Sequence, residues 1–178
     1  MRTSLVLTII GDDKPGIVEH LSTHVLAADA NWEESHIAHL AGKCAGLLRV
    51  SVDADRADAL ETALTSMATD GLTIVVERST EQALPTFRTL RLNLLGNDQP
   101  GIVRDISRLL AQHHVNIMEL ETGVESAAMS GEALFRAHAV LGLPAEVSPE
   151  RLRTLLETLA NELMVDLALE HDTRVTAG

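Results

Sequence analysis

Aromatic residues are nearly absent from this chain of 178 residues, which contains one Trp, two Phe and no Tyr. RNA-binding modules built on a β-sheet stack bases on exposed aromatic side chains, so the composition argues against that function. Cysteine is just as scarce, because Cys44 is the only one. A single cysteine excludes an internal disulfide and a cysteine-based zinc site. We interpret Cys44 as a small buried hydrophobic residue in a protein of the reducing cytoplasm.

Basic residues are also few: 14 Lys and Arg stand against 26 Asp and Glu, for a formal net charge of −12. The Lys and Arg residues do not cluster along the sequence, so direct binding to nucleic acid or to an anionic membrane is not expected. Long apolar runs are missing as well. No segment approaches the roughly 20 apolar residues of a membrane span. The apolar run at the N-terminus is too short for a secretory signal, which again predicts a cytoplasmic protein.

One eight-residue phrase occurs twice in the chain, 85 residues apart. Residues 11–18 read Gly-Asp-Asp-Lys-Pro-Gly-Ile-Val, and residues 96–103 read Gly-Asn-Asp-Gln-Pro-Gly-Ile-Val. Apolar residues alternate before each copy, as in a half-buried strand, and recur at helical spacing after it. The phrase therefore predicts a strand-to-helix turn, with its proline just inside the helix.

The two halves share the predicted order β-α-β-β-α-β. In the first half we predict strands at residues 3–10, 31–41, 45–53 and 72–78, helices at 15–28 and 57–69, and a hairpin turn at Gly42-Lys43. In the second half we predict strands at residues 89–95, 115–124, 132–141 and 164–170, and helices at 100–113 and 149–163. This order predicts an α+β fold of two ferredoxin-like sandwiches, each a four-stranded antiparallel sheet with both helices on one face.

The repeat also divides the chain. We predict a first module at residues 1–80, a linker at 81–88, a second module at 89–172 and a tail at 173–178. Each half is too small to bury a large core. We therefore expect the halves to pack on each other or on another chain, with a homodimer as the expected assembly.

The duplicated turn has two interpretations. The first N–H groups of a helix lack intrahelical partners and lie at the positive end of its dipole, so the turn is suited to hold an anion such as a carboxylate. Alternatively, Asp13 and Asp98 only cap their own helices, and the phrase is a signature of the fold.

Enzyme signatures are weak. No Gly-x-Ser-x-Gly, phosphate-loop or His-Glu-x-x-His pattern is present, and Asp12, Asp13 and Asp98 would repel the phosphate of an acyl-phosphate hydrolase. His20 and His24 have the i, i+4 spacing of a helical metal pair, but no ligand recurs in both halves, so solvated surface histidines are favoured. We predict no catalytic residue, no metal and no cofactor. For Trp32 the sequence leaves two roles open, a core residue or a ligand contact.

The phrase and its surroundings resemble the ACT domain, an amino-acid-sensing module of metabolic regulators. Asp-x-Pro-Gly-Ile-Val follows a strand, and Asn31 or Asn116, each followed by an apolar residue, begins the second strand about fifteen residues later. The resemblance covers nearly the whole chain as a tandem pair, without an attached catalytic or DNA-reading domain. Within the family, the chain is most similar to free-standing two-module members that repress transcription.

The resemblance implies a ligand site between modules, where the turn of one meets the start of the second strand of another. Backbone amides would hold the carboxylate of glycine or a similar amino acid, while Asp13, Asp98 or the two asparagine amides would hold its ammonium group. By position, the implied binding residues are Asp13, Lys14, Pro15, Gly16, Ile17 and Asn31, and Asn97, Asp98, Gln99, Pro100, Gly101, Ile102 and Asn116. The second copy carries fewer competing charges, although Lys14 of the first could itself pair with a carboxylate.

The function that this implies is non-enzymatic. We expect a sensor that binds an amino acid and signals to a protein partner, such as a transcription regulator of amino-acid or one-carbon metabolism. The alternatives are an accessory subunit that gives a metabolic enzyme amino-acid feedback control, and a small metal-dependent or hydrolytic enzyme that uses the histidines.

Overall fold

The computed structural model describes residues 1–79 and 87–171, and the chain divides into two units, Met1–Ala83 and Leu84–Gly178. Residues 81–86 of the predicted linker and the whole predicted tail lie outside the described residues. Arg88, the last residue of the predicted linker, belongs to a strand, and Phe87 directly precedes that strand.

The first module contains four strands and two helices in the predicted order. They are β1 (Arg2–Asp12), α1 (Ile17–Ala27), β2 (Asn31–Leu40), β3 (Lys43–Asp53), α2 (Ala57–Ser66), a 3-10 turn (Met67–Asp70) and β4 (Leu72–Ser79). The strands form one antiparallel sheet in the order β2-β3-β1-β4. Alternate residues of β1 (Leu5, Leu7 and Ile9) are buried with Leu21 of α1 and Leu60 of α2, so both helices contribute to one core.

The second module repeats this architecture. Its elements are β5 (Arg88–Asn97), α3 (Ile102–Gln112), β6 (Asn116–Ser126), β7 (Ala133–Leu143), α4 (Pro149–Leu163) and β8 (Val165–His171), with the sheet order β6-β7-β5-β8. Leu90, Leu92 and Leu94 take the places of Leu5, Leu7 and Ile9 in its core. The predicted α+β fold of two ferredoxin-like sandwiches is confirmed.

Three local predictions are wrong in detail. The helices α1 and α3 begin at Ile17 and Ile102, so each proline lies in the turn before its helix and not inside it. The first hairpin turns at Ala41 and Gly42, which both have positive φ (49° and 77°), because a two-residue loop with this backbone matches the twist of the strands. The second hairpin loop, residues 127–132, is longer than the first, in agreement with the longer separation of the predicted strands.

Two side chains that the sequence singled out lie in or against the first core. Cys44 is buried, which confirms its interpretation as a small hydrophobic residue. Trp32 is half-buried and packs against the core, and its indole N–H donates to Ser35 Oγ at 3.3 Å. The packing explains the presence of a tryptophan at this position without a ligand.

Candidate functional site

Each duplicated turn ends in a glycine that is the N-cap of the following helix. Gly16 has φ 98° and Gly101 has φ 103°, a left-handed conformation that favours glycine strongly. This conformation explains the glycines without a ligand. Because the N-cap has no side chain, nothing at that position caps the first N–H groups of α1 or α3. Within the described residues neither Asp13 nor Asp98 forms a helix cap, so the capping alternative is wrong.

The first turn is tied to the β2–β3 hairpin by three contacts. The backbone N–H of Asp13 donates to the Gly42 carbonyl at 3.0 Å, His39 Nδ1 lies 2.9 Å from Asp13 Oδ1, and Lys43 Nζ donates to Asp12 Oδ1 at 2.5 Å. The Lys43 hydrogen bond and charge hold the pKa of the Asp12 carboxyl below its usual value. Both acidic side chains of this turn therefore have a basic partner.

A groove of about 470 Å³ opens beside the first turn. It runs between the turn, α1 as far as His24, and the segment that joins α2 to β4. Its lining consists of Asp12, Lys14, Pro15, Gly16, Ile17, His20, His24, Ser66, Met67, Gly71 and Leu72. Of the six predicted residues in this half, the groove brings together Lys14, Pro15, Gly16 and Ile17. It includes neither Asp13, whose carboxylate faces His39, nor Asn31.

Asn31 lies at the opposite end of the sheet from the turn. It pairs across the sheet with Ser51, which pairs with Ser4, eight residues before Asp12 on β1. At about 3.3 Å per strand residue, roughly 26 Å separates the two ends. The second module has the same register, because Asn116 pairs with Gly142 and Gly142 with Thr89, eight residues before Asn97. A single module thus does not bring its asparagine and its turn together.

Two side-chain interactions distinguish the second turn from the first. Gln99 Nε2 donates to the Leu163 carbonyl at 2.6 Å, which links the turn to the C-terminus of α4. Arg104 Nε donates to Asp105 Oδ1 at 2.8 Å, and the pair borders Gly101, since a Cβ there would lie 3.4 Å from Arg104 Nη2 and 3.6 Å from Asp105 Oδ2. The Arg104 hydrogen bond holds the pKa of the Asp105 carboxyl below its usual value, so a carboxylate stands beside this turn.

The imidazoles of His20 and His24, which have the spacing of a helical metal pair, each contact a neighbouring group of α1. His24 Nδ1 donates to the backbone carbonyl of His20 at 2.8 Å, and His20 Nε2 lies 3.5 Å from Glu19 Oε2. Residues 1–79 and 87–171 contain no group of three or more His, Cys, Asp or Glu side chains placed to hold a metal ion. In the same ranges, no helix is long and apolar enough to cross a membrane.

Sequence patterns alone do not place Asp12, Ser66 or Met67 in the groove. Asp12 belongs to the repeated phrase, but only the fold shows that it lines the groove while Asp13 turns away. Ser66 and Met67 lie about fifty residues further along the chain, and β4 pairing beside β1 brings them to the turn. The spacing of His20 and His24 was the one available signal, because it puts both on the same side of α1.

Comparison with known proteins gives the family. The ACT-domain family model matches residues 3–77 and 88–170. The chain belongs to the ACT-domain family. Its two matched segments correspond to the two modules, and each contains one copy of the turn.

Relatives of this ACT-domain chain extend over most of its length. The glycine cleavage system transcriptional repressor of Escherichia coli (strain K12) is 26% identical over 161 residues, covering 89% of this chain and 85% of the repressor. The crystal structure of an unknown protein from Galdieria sulphuraria is 32% identical, with a TM-score of 0.87, covering 97% of this chain and 100% of that one. A further structure, provisionally assigned as a glycine cleavage system transcriptional repressor, shares the fold at 20% identity, with a TM-score of 0.73 and 98% and 99% coverage.

Proposed function

We propose that this protein is a non-enzymatic amino-acid sensor that controls transcription through a protein partner. The observation that carries the proposal is that Asp12 and Lys14 both line the groove beside Gly16. A carboxylate and an ammonium group on the two sides of uncapped backbone N–H groups complement the two charges of a free α-amino acid. The homology to a transcriptional repressor over most of the chain supports the regulatory role.

In this site Lys14 and the first N–H groups of α1 bind the ligand's carboxylate. Asp12 accepts a hydrogen bond from the ligand's ammonium group. Its hydrogen bond to Lys43 keeps it ionised, which suits it to this role. Each charge-assisted hydrogen bond contributes about 1.5–3 kcal/mol, so three of them, at about 4.5–9 kcal/mol together, correspond to roughly submillimolar to micromolar binding.

The first turn is a better site than the second. Lys14 lines an open groove, and within the described residues it forms no ion pair. At the corresponding position Gln99 is held by the Leu163 carbonyl, and the carboxylate of Asp105 borders Gly101. These contacts favour the first copy as the ligand site. The sequence had favoured the second copy, because its phrase contains fewer charged residues.

Asn31 and Asn116 can contact a ligand at a turn only if that turn belongs to a different module. Asn31 and Asn116 each lie about 26 Å from the turn of their own module, by the strand spacing. A homodimer supplies further modules, so we propose that dimerisation completes the ligand site. Analytical ultracentrifugation with and without ligand tests this, and a monomer that binds as tightly as a dimer contradicts it.

The signal passes through a protein, because 26 Asp and Glu against 14 Lys and Arg do not suit direct contact with DNA. With a net charge of −12, the purified protein should give no salt-sensitive shift of duplex DNA, and such a shift would refute an indirect role. Co-purification from the native host distinguishes a transcription regulator from a metabolic enzyme. The latter partner would indicate an accessory subunit for feedback control.

A thermal-shift screen against the free amino acids, glycine included, tests the sensor role, because a ligand that binds only the folded state raises the melting temperature. Calorimetry with Asp12→Asn and Lys14→Gln follows. Both changes convert the first turn to the residues of the second, and each should weaken binding by tenfold or more. Gln99→Lys is the matched change in the other turn and should leave affinity unchanged. If no amino acid stabilises the protein, the sensor role is refuted.

A further inference from the structure

The lining of the groove extends beyond Asp12 and Lys14 along α1 to His20 and His24, and it also includes Met67 and Leu72. Glycine has no side chain to occupy this part. A volume of about 470 Å³ lies within the roughly 300–1,000 Å³ range of sites that hold ligands much larger than glycine. The groove therefore has room for a long side chain.

The tautomer of His24 defines the chemistry at this end. Its Nδ1 donates to the backbone carbonyl of His20 at 2.8 Å, so Nδ1 carries the proton and Nε2 is the free nitrogen. In a neutral imidazole that nitrogen is a hydrogen-bond acceptor. A group bound there must donate a hydrogen bond, and a carboxylate, which only accepts, is disfavoured.

The position of the imidazole sets the length of the ligand. Helical side chains lean toward the helix N-terminus, and the bond to the His20 carbonyl shows that His24 does so. Its ring thus lies near the level of His20, one turn of about 5.4 Å from the N-cap Gly16. A ligand anchored at the turn needs a side chain of three or more carbons to reach this far.

The second module lacks these features at the corresponding positions. Asp105 and Leu109 stand 85 residues after His20 and His24, and Leu109 packs against the core. The imidazole acceptor of His24 therefore has no counterpart at the corresponding position of the second module, where Leu109 stands.

Building on the proposed sensor function, we infer that the first groove selects an amino acid with a long side chain that ends in an N–H donor, either a carboxamide or an ammonium group, and that His24 determines this specificity. His24 accepts the terminal hydrogen bond. Ile17, Met67 and Leu72 contact the methylene groups between the two ends.

Calorimetry of the full chain at pH 8 tests the inference. Glutamine or lysine should bind about tenfold more tightly than glutamate, norleucine and glycine, and comparing the first two distinguishes a carboxamide from an ammonium ligand. His24→Leu, which installs the residue of the second module, should abolish the preference, whereas His24→Gln retains an acceptor oxygen and should restore part of it. His36→Asn is the control, because His36 lies on β2 outside the groove.

The inference would be overturned, and the sensor function left standing, if neither glutamine nor lysine bound more tightly than norleucine, or if the preference persisted in His24→Leu. Binding of glycine alone would do the same. Failure of every amino acid to bind would overturn both. Circular dichroism melts of the variants establish that each remains folded, so that a lost preference reports on the groove.

Discussion

The two modules contain the same turn in different surroundings. Gly16 and Gly101 share a left-handed backbone, both second strands begin at an asparagine, and both have a register shift at the same offset, Trp32/Glu34 and Ile117/Glu119. The side chains around the turns differ. Lys14 lines an open groove in the first module, whereas at the corresponding position Gln99 donates to the Leu163 carbonyl. Features of the backbone are thus common to both copies, while the groups that could meet a ligand are not.

The hairpins that face the turns differ in the same way. A two-residue loop in the first module places Lys43 opposite Asp12 and brings His39 to Asp13. In the second module Leu134 is opposite Asn97, and Val124 stands where the 85-residue offset puts the counterpart of His39. Each acidic side chain of the first turn therefore has a basic partner, which reduces its repulsion of a ligand's carboxylate.

The largest effect should come from the cores, through Leu7→Ala and Leu92→Ala at equivalent positions of β1 and β5. Both leucines are buried, so each variant should lose about 2–5 kcal/mol of unfolding free energy. Because small modules depend on their neighbours for stability, we expect Leu92→Ala to lower the urea midpoint reported by Trp32 fluorescence, although Trp32 belongs to the first module. An unchanged Trp32 transition in Leu92→Ala would show that the modules are energetically independent.

The glycines should have equal effects on folding and unequal effects on binding. Gly16→Ala and Gly101→Ala each force a side chain into the left-handed region and should cost about 1–2 kcal/mol, measured by chemical denaturation. Gly131→Ala is the control for this strain, since Gly131 has φ 72° and lies in the second hairpin loop. Only Gly16→Ala should also weaken the binding of the amino acid that the thermal screen selects. Equal weakening by Gly101→Ala would restore the second turn as a site.

Removal of Gln99 should reveal how far it anchors the second turn to α4. Gln99→Ala breaks a partly buried hydrogen bond to the C-terminus of α4 and should cost about 0.5–1.5 kcal/mol in urea denaturation. Lys14→Ala, at the equivalent exposed position, should change stability by less than about 0.5 kcal/mol. A larger loss for Lys14→Ala than for Gln99→Ala would reverse the contrast between the two turns.

The smallest effect should be on acid stability. The pKa of Asp12 is lowered by Lys43, so the pair stabilises the folded state above the ordinary aspartate pKa, and this contribution disappears as the pH falls through the lowered value. The melting temperature of Lys43→Met should therefore lie below that of the wild type at pH 6, and the two should converge near pH 2. The Arg104–Asp105 pair is present in both proteins and cancels. A difference that persists at pH 2 would point to packing by the lysine chain.

Local patterns predicted the elements well because their physical causes are local. Alternation of Leu5, Leu7 and Ile9 marks a strand that buries one face, and the helical spacing of Ile102, Ile106 and Leu110 marks the buried side of α3. The position of Pro15 was misjudged, because the left-handed Gly16 shifts the helix start to Ile17. That shift depends on a dihedral angle, which the residue order alone does not reveal.

By itself, the sequence determined the family, the doubled α+β fold and the location of a turn with uncapped amides, since these follow from hydrophobic period and from two copies of one phrase. Only the tertiary structure decided which side chains share a site. Strand pairing moves Asn31 to the far end of the sheet from Gly16, and it brings Met67 beside the turn. Whether a side chain is free or already bonded also depends on residues distant in the chain. Gln99 is bonded to Leu163, and Asp13 contacts His39.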